Sequence, residues 1–256
     1  MSRPLTGANR RYIYLARGLC VFLGIVAIAW GGFLLPIFWQ QSPSERIARG
    51  IISGERFKPE LLTQELSILS GSEKPDFCRP AAVQSAAIMQ LRITEATGGG
   101  VIKRGMDLAP LDRAIRKSLS CAPADPFLWL VLFGVESTTH GYKPDYLSYL
   151  RMSYALGPNE GWILERRNAA AISVLELLPA DLAAKTMEEF VRLLNSQFYQ
   201  RAVDTFCETT ASRRELLLSK IATQPVGVRE YFARSIYECG LDIKVPGVRA
   251  PRRPWQ

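Results

Sequence analysis

The chain has 256 residues, five cysteines, one histidine and a formal net charge of +8. Half of that excess sits in the first 17 residues, where Arg3, Arg10, Arg11 and Arg17 have no acidic neighbour; elsewhere 28 basic residues face 24 acidic ones. So even a balance argues against a nucleic-acid partner, which needs a concentrated basic face, and one histidine with no CxxC argues against a Cys/His metal site.

After the basic arm, residues 1–17, the uncharged run from Gly18 to Trp39 is long enough to cross a bilayer as a helix. The next charge is Glu45, so the positive-inside rule places the N-terminus in the cytoplasm and the rest of the chain outside it, in a periplasm if the membrane is a bacterial inner membrane. Tyr12, Tyr14 and Trp39 stand near the two ends, where amphipathic rings favour the headgroup zone. A cleaved signal peptide is the competing reading, with Leu19 to Ile28 as its apolar core and Ala27-Ile28-Ala29 as its cleavage site, but the apolar run continues to Trp39. Gly24, Ala27 and Gly31, spaced three and four apart, form a small-residue face on which a second copy of the helix can pack.

From Ser42 to Gly240 the apolar spacing is helical throughout, and the expected class is all-α. Pro43 opens a short helix to about Ile52, and Lys58-Pro59 another to Ser70. Pro80 to about Thr97 and about Leu108 to Ser120 form a hairpin that brings Cys78 and Cys121 to one end, so these two are paired. Asp125-Pro126 opens the next helix, followed by Tyr142 to Leu156, Asn159 to Pro179, and Asp181 to about Ser196, with Lys185, Glu188, Glu189 and Arg192 on its polar face. Then come Gln197 to about Thr209, a helix with Ser212 and Glu215 as its capping box, and Pro225 to Cys239 with Gly240 behind it. Cys207 and Cys239 make the second disulfide, as expected for a chain outside the cytoplasm. Residues 241–256, with three prolines and four basic residues in the last fourteen, read as an extended tail.

Two segments repeat a pattern. SLSCAPADPFLWL and YALGPNEGWIL each run small residue, leucine, proline, polar residue and then an aromatic-led helix, with Pro123 and Pro158 spaced 35 apart. Here the chain resembles the tetratricopeptide repeat family, with Trp129 six residues after Pro123 and Leu132 at the next apolar position; Phe133 and Arg167-Asn168 depart from the family pattern. The resemblance implies stacked helical hairpins whose groove binds a protein segment, with groove-facing positions on Phe127, Leu130, Gly134 and Ser137 and then Trp162, Glu165, Ala169 and Ile172. The whole layout is similar to anchored helical-repeat proteins that accompany bacterial envelope-polysaccharide systems.

Catalytic patterns are few. Gly100 to Gly105 has the spacing of a phosphate loop but is followed by Met106-Asp107, without the lysine and hydroxyl that such a loop needs. His140 precedes Gly141 at a helix end, where an imidazole meets free carbonyls. Glu136-Ser137 resembles the Glu-Ser pair of lytic transglycosylases, although that family's following segment has no counterpart here. Tyr146, Tyr149 and Tyr154 are read as packing between helices, and Arg166-Arg167 as a solvated face. The expectation is therefore a membrane-anchored, all-α scaffold or adaptor for an envelope protein partner, with no catalytic, cofactor or metal residues; a glycan-cleaving enzyme is the alternative.

Overall fold

The computed structural model describes residues 7–71, 78–98 and 105–249, with side chains described for 14–32 and from 43 onward. Among these residues there are only helices and turns, so the fold class is all-α. By its internal contacts the chain divides after Ile93 into two compact units. Arg3, the side chains of Arg10, Arg11 and Tyr12, those of residues 33–42, the glycine-rich loop at 99–104, and residues 250–256 of the tail lie outside the described residues.

In the first unit, α1 (Gly7–Ile52) is one helix of 46 residues, about 70 Å long at the standard rise. Its stretch from Tyr14 to Gly32 is long and apolar enough to cross a membrane, and none of it is buried by the protein itself. Open space surrounds Gly24 and Gly31. The helix expected to begin afresh at Pro43 is instead the continuation of α1. Proline at that point removes only one intrahelical donor, and the turns beyond it are held by packing: Ser44 and Ala48 are buried. Ile47 and Ile51 pack with Leu62, Leu66 and Leu69 of α2 (Pro59–Gly71) and Ala82 and Met89 of α3 (Pro80–Thr97). Between α1 and α2 the chain turns at Gly54, with φ +92°, and lays Glu55 and Phe57 over Gly50, where a Cβ atom would stand 2.9 Å from each. Cys78, just before α3, is disulfide-bonded.

The second unit holds α4 (Ala109–Cys121), α5 (Pro126–His140), α6 (Leu147–Leu156), α7 (Gly161–Ile172), α8 (Ala180–Leu194), α9 (Tyr199–Glu208), α10 (Ala211–Ile221) and α11 (Val226–Glu238). Each packs on its neighbour or next neighbour in sequence: α4 on α5, α5 on α6 and α7, α7 on α8 and α9, α8 on α9 and α10, and α9 on α11. The start of α5 follows the expected capping, since the Asp125 carboxylate accepts from the Phe127 and Leu128 amides at 2.9 and 3.0 Å with Pro126 in the first turn. Cys121 is disulfide-bonded, Cys207 is bonded to Cys239, and the free cysteine among the described residues is Cys20.

Several local expectations change. The helix read from Asn159 to Pro179 runs only from Gly161 to Ile172, and a 3₁₀ turn at Leu175–Leu177 follows it. Asn159 does not cap it; its side-chain oxygen accepts from Arg192 at 3.2 Å. The capping box at Ser212 does not form, because the Ser212 hydroxyl donates to Glu176 instead, and α10 begins one residue earlier. Glu189, placed on the polar face of α8, is fully buried. The first nine residues of the tail are folded back: Val245 is 2% exposed, Leu241, Ile243 and Val248 pack on the cluster of Phe206, Phe232 and Ile236, and Arg229 donates to the Pro246 carbonyl at 2.7 Å.

Candidate functional site

The helices α5, α7, α9 and α11 place a line of aromatic and charged side chains side by side. Phe127 in the first turn of α5 meets Trp162 in the first turn of α7, ring centroids 5.0 Å apart and tilted by 50°. Arg166, one turn along α7, sets its guanidinium 5.5 Å from the Phe127 ring. Glu165 then pairs with Arg201 of α9 at 3.4 Å. On the next step Tyr199 of α9 lies 4.7 Å from the Tyr231 ring of α11 and donates to the Ser235 hydroxyl at 3.2 Å. The close fit depends on Gly161, whose Cβ position lies 3.0 Å from the ring of Phe198.

Of the residues expected to face a groove, Phe127, Leu130 and Ile172 are buried at 3%, 5% and 1%, so their side chains serve packing. Gly134, Ser137, Trp162 and Glu165 are half-buried and Ala169 is exposed; the Ser137 hydroxyl oxygen has no hydrogen-bond partner. Arg166, Arg201 and Tyr231 are exposed and extend the line beyond the expected positions.

Arg167 and Glu189, which the sequence pattern puts on solvated faces, meet instead in a buried polar cluster. Arg166 is solvated as expected, but Arg167 is fully buried. Its Nε donates to Glu189 of α8 at 2.9 Å, its Nη2 makes a second bond to the same carboxylate, and its Nη1 donates to the Ser153 and Gly157 carbonyls at 2.8 and 3.0 Å. The guanidinium carbon lies 4.3 Å from the Tyr154 ring centroid, and the Tyr154 hydroxyl donates to the other Glu189 oxygen at 3.0 Å. Asn168 donates to the Thr186 carbonyl at 2.8 Å, while its side-chain oxygen is unpartnered. Burial raises the Glu189 pKa above the ordinary carboxylate range, against the opposing pull of Arg167. Burial likewise raises the Tyr154 hydroxyl. The one sequence signal for this cluster was the placement of Arg167-Asn168 at positions where the resembled family carries apolar and small residues.

No known protein family, curated protein or solved structure matches the chain.

A second polar cluster lies between α4 and α5. Glu136, 9% exposed, accepts from Arg116, which is also bonded to both oxygens of Asp112 at 2.9 and 3.0 Å; His140 Nε2 stands 3.6 Å from Glu136. Asp107, Thr139 and Val135 complete a cleft of about 440 Å³ around them. A general acid must present a protonated oxygen to its substrate, whereas here Arg116 takes one Glu136 oxygen and His140 approaches the other. No group of metal-ligating side chains occurs among the described residues. Tyr154 is buried as expected, but Tyr149 and Tyr146 stand half-buried in a stack with Trp129, ring centroids 5.8 and 6.1 Å apart. Trp129 is fixed by its indole N–H, which donates to the Pro123 carbonyl at 2.7 Å.

Proposed function

We propose that this chain is a membrane-anchored adaptor whose second unit stacks helical hairpins in the tetratricopeptide manner and holds a protein segment along the row of α5, α7, α9 and α11. One observation carries the reading. Side-chain hydrogen bonds in this unit, from helices and from the loops and turns between them, repeatedly join residues 34 to 36 positions apart: Tyr142 to Leu177, Tyr154 to Glu189, Arg192 to Pro158, Ser212 to Glu176 and Tyr199 to Ser235. A hairpin that contacts only the next hairpin, at a fixed offset near 34, is the contact pattern of a helical solenoid.

The apolar stretch from Tyr14 to Gly32 supports the anchor, and disulfides persist in oxidising compartments outside the cytoplasm. Mixed apolar and charged side chains, Trp162, Glu165, Arg166, Arg201 and Tyr231, suit an extended protein segment with its own side chains and backbone amides. By the resemblance in layout, the partner belongs to an envelope-polysaccharide assembly.

The test compares two substitutions in the full chain. Trp162→Ala removes the half-buried indole at the centre of the row and is expected to lose capture of the partner found by in-cell crosslinking, with the helical signal retained. Glu136→Gln is expected to leave capture intact. The enzyme reading is favoured only by the cleft at Glu136. If Glu136→Gln abolished a glycan-cleaving activity while capture persisted, the adaptor reading would be withdrawn.

A further inference from the structure

We infer that the first unit carries a binding site for an anionic phospholipid headgroup, placed where α1 leaves the membrane. The inference rests on the membrane-anchor reading and names the lipid chemistry that the anchor selects.

The geometry begins with the continuity of α1. Because the helix is unbroken from Gly7 to Ile52, the residues beyond the apolar run are held at fixed heights and not on a flexible linker. Taking Trp39 as the end of that run, Arg46 and Arg49 lie about 10 and 15 Å further along the axis. Headgroups extend about 5–8 Å beyond the hydrocarbon on each side, and an arginine can lower its charged end back along an apolar surface by several ångströms. Arg46, with Arg49 one turn behind it, therefore reaches the phosphate level of the leaflet that α1 leaves.

At that height the protein has a pocket. Pro43, Arg46, Ile47, Arg49, Gly50, Ser53, Glu55 and Phe57 line an open hollow of about 670 Å³. Arg46 and Arg49 are exposed, and Arg56 and Lys58 flank Phe57 in the returning loop, also exposed. Glu45 and Glu55 are the acidic residues in the same segment, so the basic side chains outnumber the acidic ones there. The apolar wall of Pro43, Ile47 and Phe57 beside two arginines matches a lipid glycerol backbone beside its phosphate. Gly50 keeps the hollow's floor in place, since a Cβ there meets both Phe57 and Glu55. A soluble phosphate compound would use the arginines but gain nothing from that wall, so the occupant is a lipid of the membrane in which α1 sits.

The experiment reconstitutes the full chain in nanodiscs of phosphatidylcholine alone or mixed with phosphatidylglycerol and reads the co-purified lipid by native mass spectrometry. The wild-type chain is expected to retain phosphatidylglycerol selectively. Arg46→Gln with Arg49→Gln is expected to lower that selectivity about thirtyfold, which corresponds to about 2 kcal/mol at about 1 kcal/mol per basic residue near the surface. Arg46→Lys with Arg49→Lys, which keeps both charges and the helix, is expected to retain most of it. A chain with Arg3, Arg10, Arg11 and Arg17 replaced by glutamine is expected to retain it too, which separates this site from attraction at the other end of the span.

Unchanged selectivity in the double glutamine variant, or displacement of the lipid by millimolar inorganic phosphate, would overturn the lipid site while leaving the anchor intact. Failure of the wild-type chain to float with phosphatidylcholine vesicles would overturn the anchor reading itself, and the lipid site with it.

Discussion

Replacing Arg167 by leucine tests whether the buried ion pair with Glu189 is part of what holds α6, α7 and α8 together. Both side chains are fully buried. The substitution keeps much of the apolar volume, removes the charge, and takes the Arg167 donors away from the Glu189 carboxylate and the Ser153 and Gly157 carbonyls, while Tyr154 still donates to Glu189 and the Gly157 amide to Ser153. Breaking a buried pair from one side costs about 3–5 kcal/mol, because the remaining charge is left without compensation. Against a typical total of about 5–15 kcal/mol, Arg167→Leu is expected to bring the second unit close to unfolding. Glu189→Leu alone is expected to cost a similar amount. The double variant with leucine at both positions is expected to cost less than the sum of the two by about 2 kcal/mol or more, as the buried charges disappear together. Urea unfolding of the full chain in detergent, followed by circular dichroism, reads the three differences. A cost for Arg167→Leu of about 0.5 kcal/mol or less, the range of ordinary surface changes, would refute the reasoning. The sign of the pH dependence is also set. Burial raises the Glu189 pKa, so the folded chain binds that proton more tightly than the unfolded chain does. The residue's contribution is fully present below the unfolded carboxylate pKa and is lost as pH rises through the folded value. The stability of the wild-type chain relative to Glu189→Gln should therefore fall in that direction.

Two further outcomes are expected. Peptide mapping without reduction should recover Cys78 joined to Cys121 and Cys207 joined to Cys239; the second link closes a separation of 32 residues, worth about 4 kcal/mol in the chain-entropy model. Reductant should accordingly lower the melting temperature, and crossed pairs would contradict the mapping. Gly50→Ala should destabilise the first unit by about 1–3 kcal/mol, since its methyl group must displace Phe57 and Glu55; an unchanged melting temperature would show that the loop yields freely.

What was legible in the sequence was mostly local. The 3.6-residue spacing of apolar side chains located the helices, and the start of α5 was written in Asp125-Pro126 because the cap and the amides it serves are two and three residues apart. The continuity of α1 was not legible, because proline is an ambiguous marker: it suits the first turn of a helix and also survives inside one where packing of the turns beyond it outweighs a single lost bond. Ser212 fitted a capping box by spacing, yet its hydroxyl has Glu176 within reach, 36 positions earlier, and the tertiary partner prevails. Folding back of residues 241–249 was hidden for a related reason. A Pro- and Arg-rich segment looks soluble by composition, while the burial of Val245 depends on the surface made by Phe206, Phe232 and Ile236.

Arg167 marks the limit of reading by periodicity. In a sequence an arginine pair counts toward the polar face, since an unpaired buried guanidinium is prohibitively costly. The cost falls when the structure supplies acceptors, and here it supplies them from two other helices. The Ser153 carbonyl, which also accepts from the Gly157 amide at 3.1 Å, and the Gly157 carbonyl just past α6 lie at its C-terminal end, where the helix dipole is negative. Glu189 arrives from α8, and the Tyr154 ring lies against the guanidinium with its hydroxyl turned to the same carboxylate. Arg167 thus caps a helix 10 to 14 residues away while answering a carboxylate 22 residues further on. Neither spacing belongs to a helix period, so no local pattern contains the information. The departure at Arg167-Asn168 from the resembled repeat held the clue: two polar residues at positions that face the core need partners there, and those partners lie on the preceding and following helices.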